Sequence, residues 1–318
     1  VDPLKEELLA GKVTYVMPIR QLLRPSSSRL TEEFRGELQN EKAETRRRFR
    51  AALALADYIP ESEAASWNEQ DLKFVAEQLV ASNAEFQPLL REALRPIRKK
   101  LLGDLERIFA DPQATDAQRL SAANAFADYS GSDIAKLSEL LTVATLEQYA
   151  VLYPIVAASP TAATVEELAK IAATVPPAEL GSVARVPFGQ RRANAAVTLL
   201  RLGEREEVLP VFDMTDDPEA LTQFIFRCQP REVGVEALLD CLRIVTDAPL
   251  DRHPRNARYA LLLALGEFTL DEIPETRRET LLNQLADWYR SDPSSGVHGA
   301  AGWLLRQWGQ ADIAREVD

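Results

Sequence analysis

Side chains that serve most often as acids, bases, nucleophiles or metal ligands are scarce in this sequence. There are two histidines, His253 and His298, and two cysteines, Cys228 and Cys241. A structural zinc ion takes four ligands drawn mainly from Cys and His. No second histidine lies near either one, so neither a metal nor a cofactor is expected. Cys228 and Cys241 fall on consecutive expected helices with no base beside them in sequence, which favours buried free thiols over a disulfide or a nucleophile. His298 opens a small-residue helix near Trp303 and Trp308 and is expected to pack and hydrogen-bond in the core. His253 precedes Pro254 in a loop entering a helix, where a capping or exposed position is expected.

Carboxylates are plentiful, as in Asp213, Asp216, Asp217 and Glu219, or Glu204, Glu206 and Glu207. None fits the Asp-x-Asp-x-Asp-Gly pattern of a calcium loop, and near helix N-termini such groups stabilise the dipole. Gly181 to Gly189 lacks a following Lys-Ser/Thr and is no phosphate-binding P-loop. Basic residues cluster at Arg46, Arg47, Arg48 and Arg50, and at Arg95, Arg98, Lys99 and Lys100. Each cluster reads first as a solvated helical face, and as a site it suits an acidic protein surface, such as a neighbouring module or another copy. No catalytic residue is assigned. The candidate partner contacts are Arg46, Arg47, Arg48, Phe188, Arg192 and Arg255.

The elements that must position these residues are helices. Glycine is only 13 of 318 residues, and the alternating β-branched runs of strands are missing. Windows rich in Ala, Leu, Arg and Glu carry apolar residues at three- and four-residue spacing. Around Ala51, Leu55 and Tyr58 one face is apolar, opposite Arg46, Arg47 and Arg50, which are expected in solvent. Expected helices include 43–58, 84–109, 132–142, 190–202, 204–212 and 254–267. Gly203, Gly266 and Gly309 are expected caps, and Pro112, Pro160, Pro218, Pro274 and Pro293 are expected near first turns. The longest apolar stretch, Tyr149 to Ala158, is interrupted by Pro154 and is too short for a membrane span.

A small-residue core recurs at Arg50-Ala51-Ala52-Leu53-Ala54-Leu55, Ser121-Ala122-Ala123-Asn124-Ala125-Phe126, Ala193-Asn194-Ala195-Ala196-Val197, Tyr259-Ala260-Leu261-Leu262 and Gly299-Ala300-Ala301-Gly302. Ala260 and Ala300 stand 40 residues apart, near the spacing of HEAT and armadillo helix pairs. Small side chains let helices approach closely while larger ones interlock. The expected fold is therefore all-α, a right-handed α-solenoid of HEAT-like repeats over 43–318. Residues 1–42, containing Pro25-Ser26-Ser27-Ser28, read as lead-in helices and linker. Residues 175–189 read as a protruding loop or a hinge between two lobes. Ala122, Ala195, Ala260 and Ala300 should be buried, with Leu199, Leu262 and Leu304 in the same core.

Net charge is −12, with 37 basic and 49 acidic side chains. Residues 1–112 hold 18 basic and 19 acidic groups, and residues 113–318 hold 19 and 30. The acidity therefore lies almost wholly in the second part, which argues against nucleic acid as a partner. The sequence opens at Val1-Asp2-Pro3 without an initiator Met or a secretory leader and reads as a segment of a longer chain. The scarcity of cysteine fits a reducing compartment, and a cytoplasmic location is expected.

Three segments carry a likeness to a known family. They are Arg191-Arg192-Ala193-Asn194-Ala195-Ala196-Val197-Thr198-Leu199-Leu200-Arg201-Leu202-Gly203, Ala260-Leu261-Leu262-Leu263-Ala264-Leu265-Gly266-Glu267-Phe268, and Asp292-Pro293-Ser294-Ser295-Gly296-Val297-His298-Gly299-Ala300-Ala301-Gly302-Trp303-Leu304-Leu305-Arg306-Gln307-Trp308-Gly309. Residues 190–309 resemble the helical-repeat region of large multidomain proteins best represented in planctomycete bacteria. Those proteins commonly carry a serine/threonine protein kinase domain on one side and a formylglycine-generating-enzyme-like (sulfatase-modifying-factor-like) domain on the other. The sequence contains neither a Gly-rich kinase loop nor the His-Arg-Asp and Asp-Phe-Gly triplets. The resemblance implies a spacer or docking array and transfers no catalytic residue. The leading expectation is a non-catalytic scaffold or protein-interaction region of a modular signalling protein, with protein or a neighbouring domain as partner. The alternative is a HEAT-like repeat enzyme, DNA-glycosylase-like or bilin-lyase-like. The first would need a basic concave surface with a central carboxylate, and the second an apolar chromophore-sized cavity.

Overall fold

The computed structural model describes residues 1–59, 67–212, 217–247 and 256–317. Helix accounts for 78% of the structure, and the described residues contain no strand. The chain divides into two compact units, Val1–Asp133 and Ile134–Asp318.

The first unit holds α1 (Asp2–Ala10), α2 (Val16–Leu23), α3 (Ser27–Gln39), α4 (Thr45–Tyr58), α5 (Glu69–Ala81), α6 (Gln87–Leu94), α7 (Arg98–Ala110) and α8 (Asp116–Ser130). Three-residue 3-10 turns lie at Val13–Tyr15, Arg24–Ser26 and Arg95–Ile97. The last divides the helix expected over 84–109. Pro96 has no N–H to continue the α pattern, so the chain tightens there before α7 restarts. Helix α4 is central, packing against α1, α2, α3, α5 and α6. Every residue from Phe49 to Ala56 is buried. Alanine at 51, 52, 54 and 56 is what allows neighbours to close in on all sides of one helix. Arg50 is carried into the interior with them, at 5% exposure, so the expected solvated face does not hold at this position.

The second unit holds α9 (Ile134–Leu141), α10 (Leu146–Ala158), α11 (Ala162–Ala173), α12 (Ser182–Leu202), α13 (Glu219–Cys228), α14 (Val235–Asp247), α15 (Ala257–Leu265), α16 (Glu275–Ser291), α17 (Ser295–Gln307) and α18 (Ala311–Val317). Helix α12 packs against α9, α11 and α13, and α13, α15 and α17 pack in succession. All of Ala193–Leu200 is buried, repeating the small-residue pattern of α4. Helix α12 begins eight residues before the expected 190 and incorporates Pro187, so part of the expected 175–189 loop is helical. The helix expected over 204–212 is reduced to a 3-10 turn at Leu209–Phe212.

The expected core positions are buried: Ala122, Ala195, Ala260, Leu199, Leu262 and Leu304 at 0% exposure and Ala300 at 4%. Gly203 and Gly309 cap their helices with positive φ, where a Cβ would be strained, whereas Gly266 stays right-handed. Pro218 and Pro274 occupy the cap position itself. Pro112 and Pro160 lie further out, ahead of Thr115 and Thr161, whose side chains accept the capping hydrogen bonds.

Candidate functional site

Three consecutive arginines of α4 show how differently one basic cluster can be used. Arg47 donates to Glu37 at 2.9 Å and to Glu6 at 3.0 Å, tying α4 to α3 and α1. Those hydrogen bonds hold its guanidinium charged to higher pH than usual. Arg48 donates to the Leu38 carbonyl at 2.8 Å and lies 4.2 Å from the centre of the Phe74 ring. Arg46 is exposed and donates to the Gly11 carbonyl in the connection after α1. Arg47 and Arg48 are therefore internal fastenings, and Arg46 is the member of the expected contact set that faces open space on this helix.

Arg50 has neither a hydrogen bond nor an ion pair among the described residues, and its Nη1 is fully enclosed without a partner. The other buried arginines each reach a carbonyl, although Arg231 Nε is likewise enclosed without a partner among the described residues. Arg20 donates to Leu53 and Ala93 at 2.9 and 2.7 Å, Arg192 to Ala172 at 2.9 Å, and Arg231 to Ala144 at 3.2 Å. Burial, reinforced by repulsion from Arg46, pushes the Arg50 guanidinium down to about 10. An uncompensated buried cation costs several kcal/mol, roughly, unless something supplies the missing charge.

What Arg50 faces is a cavity of about 590 Å³ in the first unit. Its polar wall comes from Lys12 and Thr14 after α1, Thr45 and Arg46 at the start of α4, and Gln78, Ser82 and Asn83 at the end of α5. The apolar wall is Val13, Phe49, Phe86 and Leu90. Among the described residues, three cations line this cavity and no carboxylate does. Asn83 and Ser82 are held by local bonds: Glu85 N–H donates to Asn83 Oδ1 at 2.9 Å, and the Ser82 hydroxyl donates to the Gln78 carbonyl at 2.6 Å. The Thr45–Arg47 end of α4 adds the positive end of a helix dipole. This arrangement can hold a negative group against an apolar floor.

No family model, curated protein or solved structure matches the chain. The arrangement of its own side chains therefore carries the functional argument.

The remaining expected sites disperse. Arg192, expected as an exposed contact, is 3% exposed because α12 is central, and it serves α11 through Ala172. Phe188 is half-buried on α12. Arg255 and His253 lie outside the described residues, as do Asp213 and Asp216. Asp217 accepts from the Glu219 N–H at 3.0 Å at the start of α13, a capping use. In the second basic cluster, Arg95 pairs with Glu92 and Asp128 at 2.6 and 2.9 Å, and Arg98 donates to the Arg95 carbonyl at 3.1 Å. His298 is exposed against the Tyr289 ring, at 4.9 Å between centres, and not enclosed in the core as expected. Cys228 and Cys241 are both buried and unbridged. Desolvation pushes Cys241 up to about 12 and Cys228 well above the usual thiol value, so both are poor nucleophiles near neutrality. Among the described residues no group of three or more His, Cys, Asp and Glu is placed to hold a metal, and no helix is long and apolar enough to cross a membrane.

Lys12, Phe86 and the burial of Arg50 are what sequence reasoning missed. The one available signal was Arg50 beginning an otherwise apolar run, Arg-Ala-Ala-Leu-Ala-Leu, whose small residues suit burial on every side.

Proposed function

We propose that this chain is a non-catalytic, HEAT-like helical-repeat region that docks an acidic protein segment, from a separate partner or a neighbouring domain of the same protein. The observation that carries the reading is Arg50, a buried cation without a counter-charge among the described residues, at the wall of a cavity shared with Lys12 and Arg46. Alternating rows of helices, α4, α6 and α8 in one unit and α13, α15 and α17 in the other, support a repeat array. The resemblance of residues 190–309 to helical-repeat regions of planctomycete multidomain proteins points the same way, to a bacterial signalling scaffold in the cytoplasm. The overall charge of −12 favours protein over nucleic acid, since duplex DNA requires phosphate neutralisation over a broad basic surface.

A photoreactive amino acid at Asn83, exposed on the cavity rim, tests this in the intact protein. The expected result is a cross-link to an acidic segment that weakens when Lys12→Glu and Arg46→Glu reverse the rim charge. An unchanged cross-link in those variants, or a tight saturable complex with duplex DNA, would overturn the reading. Arg47 and Arg48 are unsuitable for such a test because their substitution would release α1 and α3.

A further inference from the structure

We infer that the Arg50 cavity is a receptor for an oxyanion, carboxylate or phosphate, borne within a few bonds of an apolar group. The inference deepens the docking proposal by naming the chemical feature that a partner inserts.

A carboxylate or phosphate presents oxygens that match the planar donor fork of arginine. Arg50 is 5% exposed, and its Nη1 meets no acceptor among the described residues. Folding has thus placed a donor where water access is poor and no protein oxygen reaches it. Arg20 on α2 shows the alternative: its guanidinium donates to the Leu53 and Ala93 carbonyls.

Selectivity for an amphiphilic anion follows from the rest of the wall. Phe49 and Leu90 are buried and Phe86 half-buried, so the cavity offers apolar contact beside the charge. A bare inorganic ion would use Arg50, Arg46 and Lys12 but leave that apolar surface wet. A ligand with a ring or aliphatic group next to the oxyanion covers both. At about 590 Å³ the volume falls in the range of small-ligand pockets and exceeds what a single ion fills. Two sources on a protein have this chemistry: a C-terminal carboxylate following an apolar residue, and a phosphorylated tyrosine.

Calorimetric titration of the intact protein with phenylacetate, phenyl phosphate, inorganic phosphate and the neutral phenylacetamide separates the cases. Both organic anions should bind at one site, and the amide and inorganic phosphate should each be at least about tenfold weaker, the scale of one charge-assisted hydrogen bond. Arg50→Met should weaken the anions by about tenfold or more while leaving the amide unchanged. Lys12→Gln, on an exposed residue that cannot disturb the core, should weaken phenyl phosphate more than phenylacetate. Whichever anion binds more tightly identifies the source, carboxylate or phosphate. Equal binding of acid and amide, binding insensitive to Arg50→Met, or no binding by any probe would each overturn the inference. If the organic anions bind as expected while the Asn83 cross-link ignores rim charge, the oxyanion site stands and the protein-docking proposal fails.

Discussion

Arg258 and Asp292 show what a buried ion pair costs to break. Arg258 Nη1 donates to Asp292 Oδ2 at 2.6 Å, their side chains are 16% and 5% exposed, and the guanidinium lies 4.8 Å from the Trp288 ring centre. Removing the cation leaves a carboxylate enclosed with, among the described residues, only the Ser294 N–H as a further donor. Arg258→Leu should therefore destabilise by about 3 kcal/mol in chemical denaturation, far more than substitution of an exposed pair such as Glu166 with Lys170. The two buried thiols make a second, pH-dependent statement. Both are raised in the folded state above the ordinary value of 9.0. Above pH 9 the unfolded chain loses thiol protons that the folded chain keeps, so the thiols withdraw stability progressively as pH climbs from 9 towards about 12. The expected outcome is a shallower alkaline loss of stability in Cys228→Ala/Cys241→Ala than in the parent. Native-state alkylation at neutral pH should be slow and should accelerate sharply in denaturant.

Among the elements, the close approach of α12 to α13 has a clear consequence. A Cβ on Gly189 would fall 2.5 Å from Glu219 Cγ and 2.9 Å from the Ala220 backbone nitrogen. Glu219 could swing away, but the backbone of α13 cannot yield without moving the helix. Gly189→Ala should cost about 1–3 kcal/mol, with enhanced hydrogen exchange at the start of α13 as the local readout. Gly36→Ala, where a Cβ meets nothing, is the control expected to be neutral or mildly stabilising. Element scale is also where the sequence was most legible. The small-residue runs mark α4, α8, α12, α15 and α17, because close packing needs alanine and glycine in a way that composition reveals directly. It was least legible where a turn competes with a helix. Pro96 splits 84–109, while Pro187 is absorbed into α12. Both are prolines in helical surroundings, and tertiary packing decides between the outcomes.

At the scale of the whole molecule, helical class and core positions could be read from periodicity, but the candidate site could not. The spacing of Arg46 and Arg50 places them on one helical face, which sequence logic assigns to solvent. The structure covers the inner end of that face with the Gly11–Thr14 connection and with α5 and α6, contacts distant in sequence that no local pattern encodes. Arg192 was misplaced for the same reason, since α12 is surrounded by other helices. The account rests on Arg50 being an uncompensated buried charge retained for an incoming anion. Equilibrium unfolding of the parent and Arg50→Met, each with and without phenyl phosphate, tests this most directly. Without ligand, Arg50→Met should be the more stable protein by about 1–3 kcal/mol, and a given concentration of phenyl phosphate should stabilise the parent clearly more than the variant. A variant less stable than the parent, in a protein whose stability the anion does not shift, would contradict this.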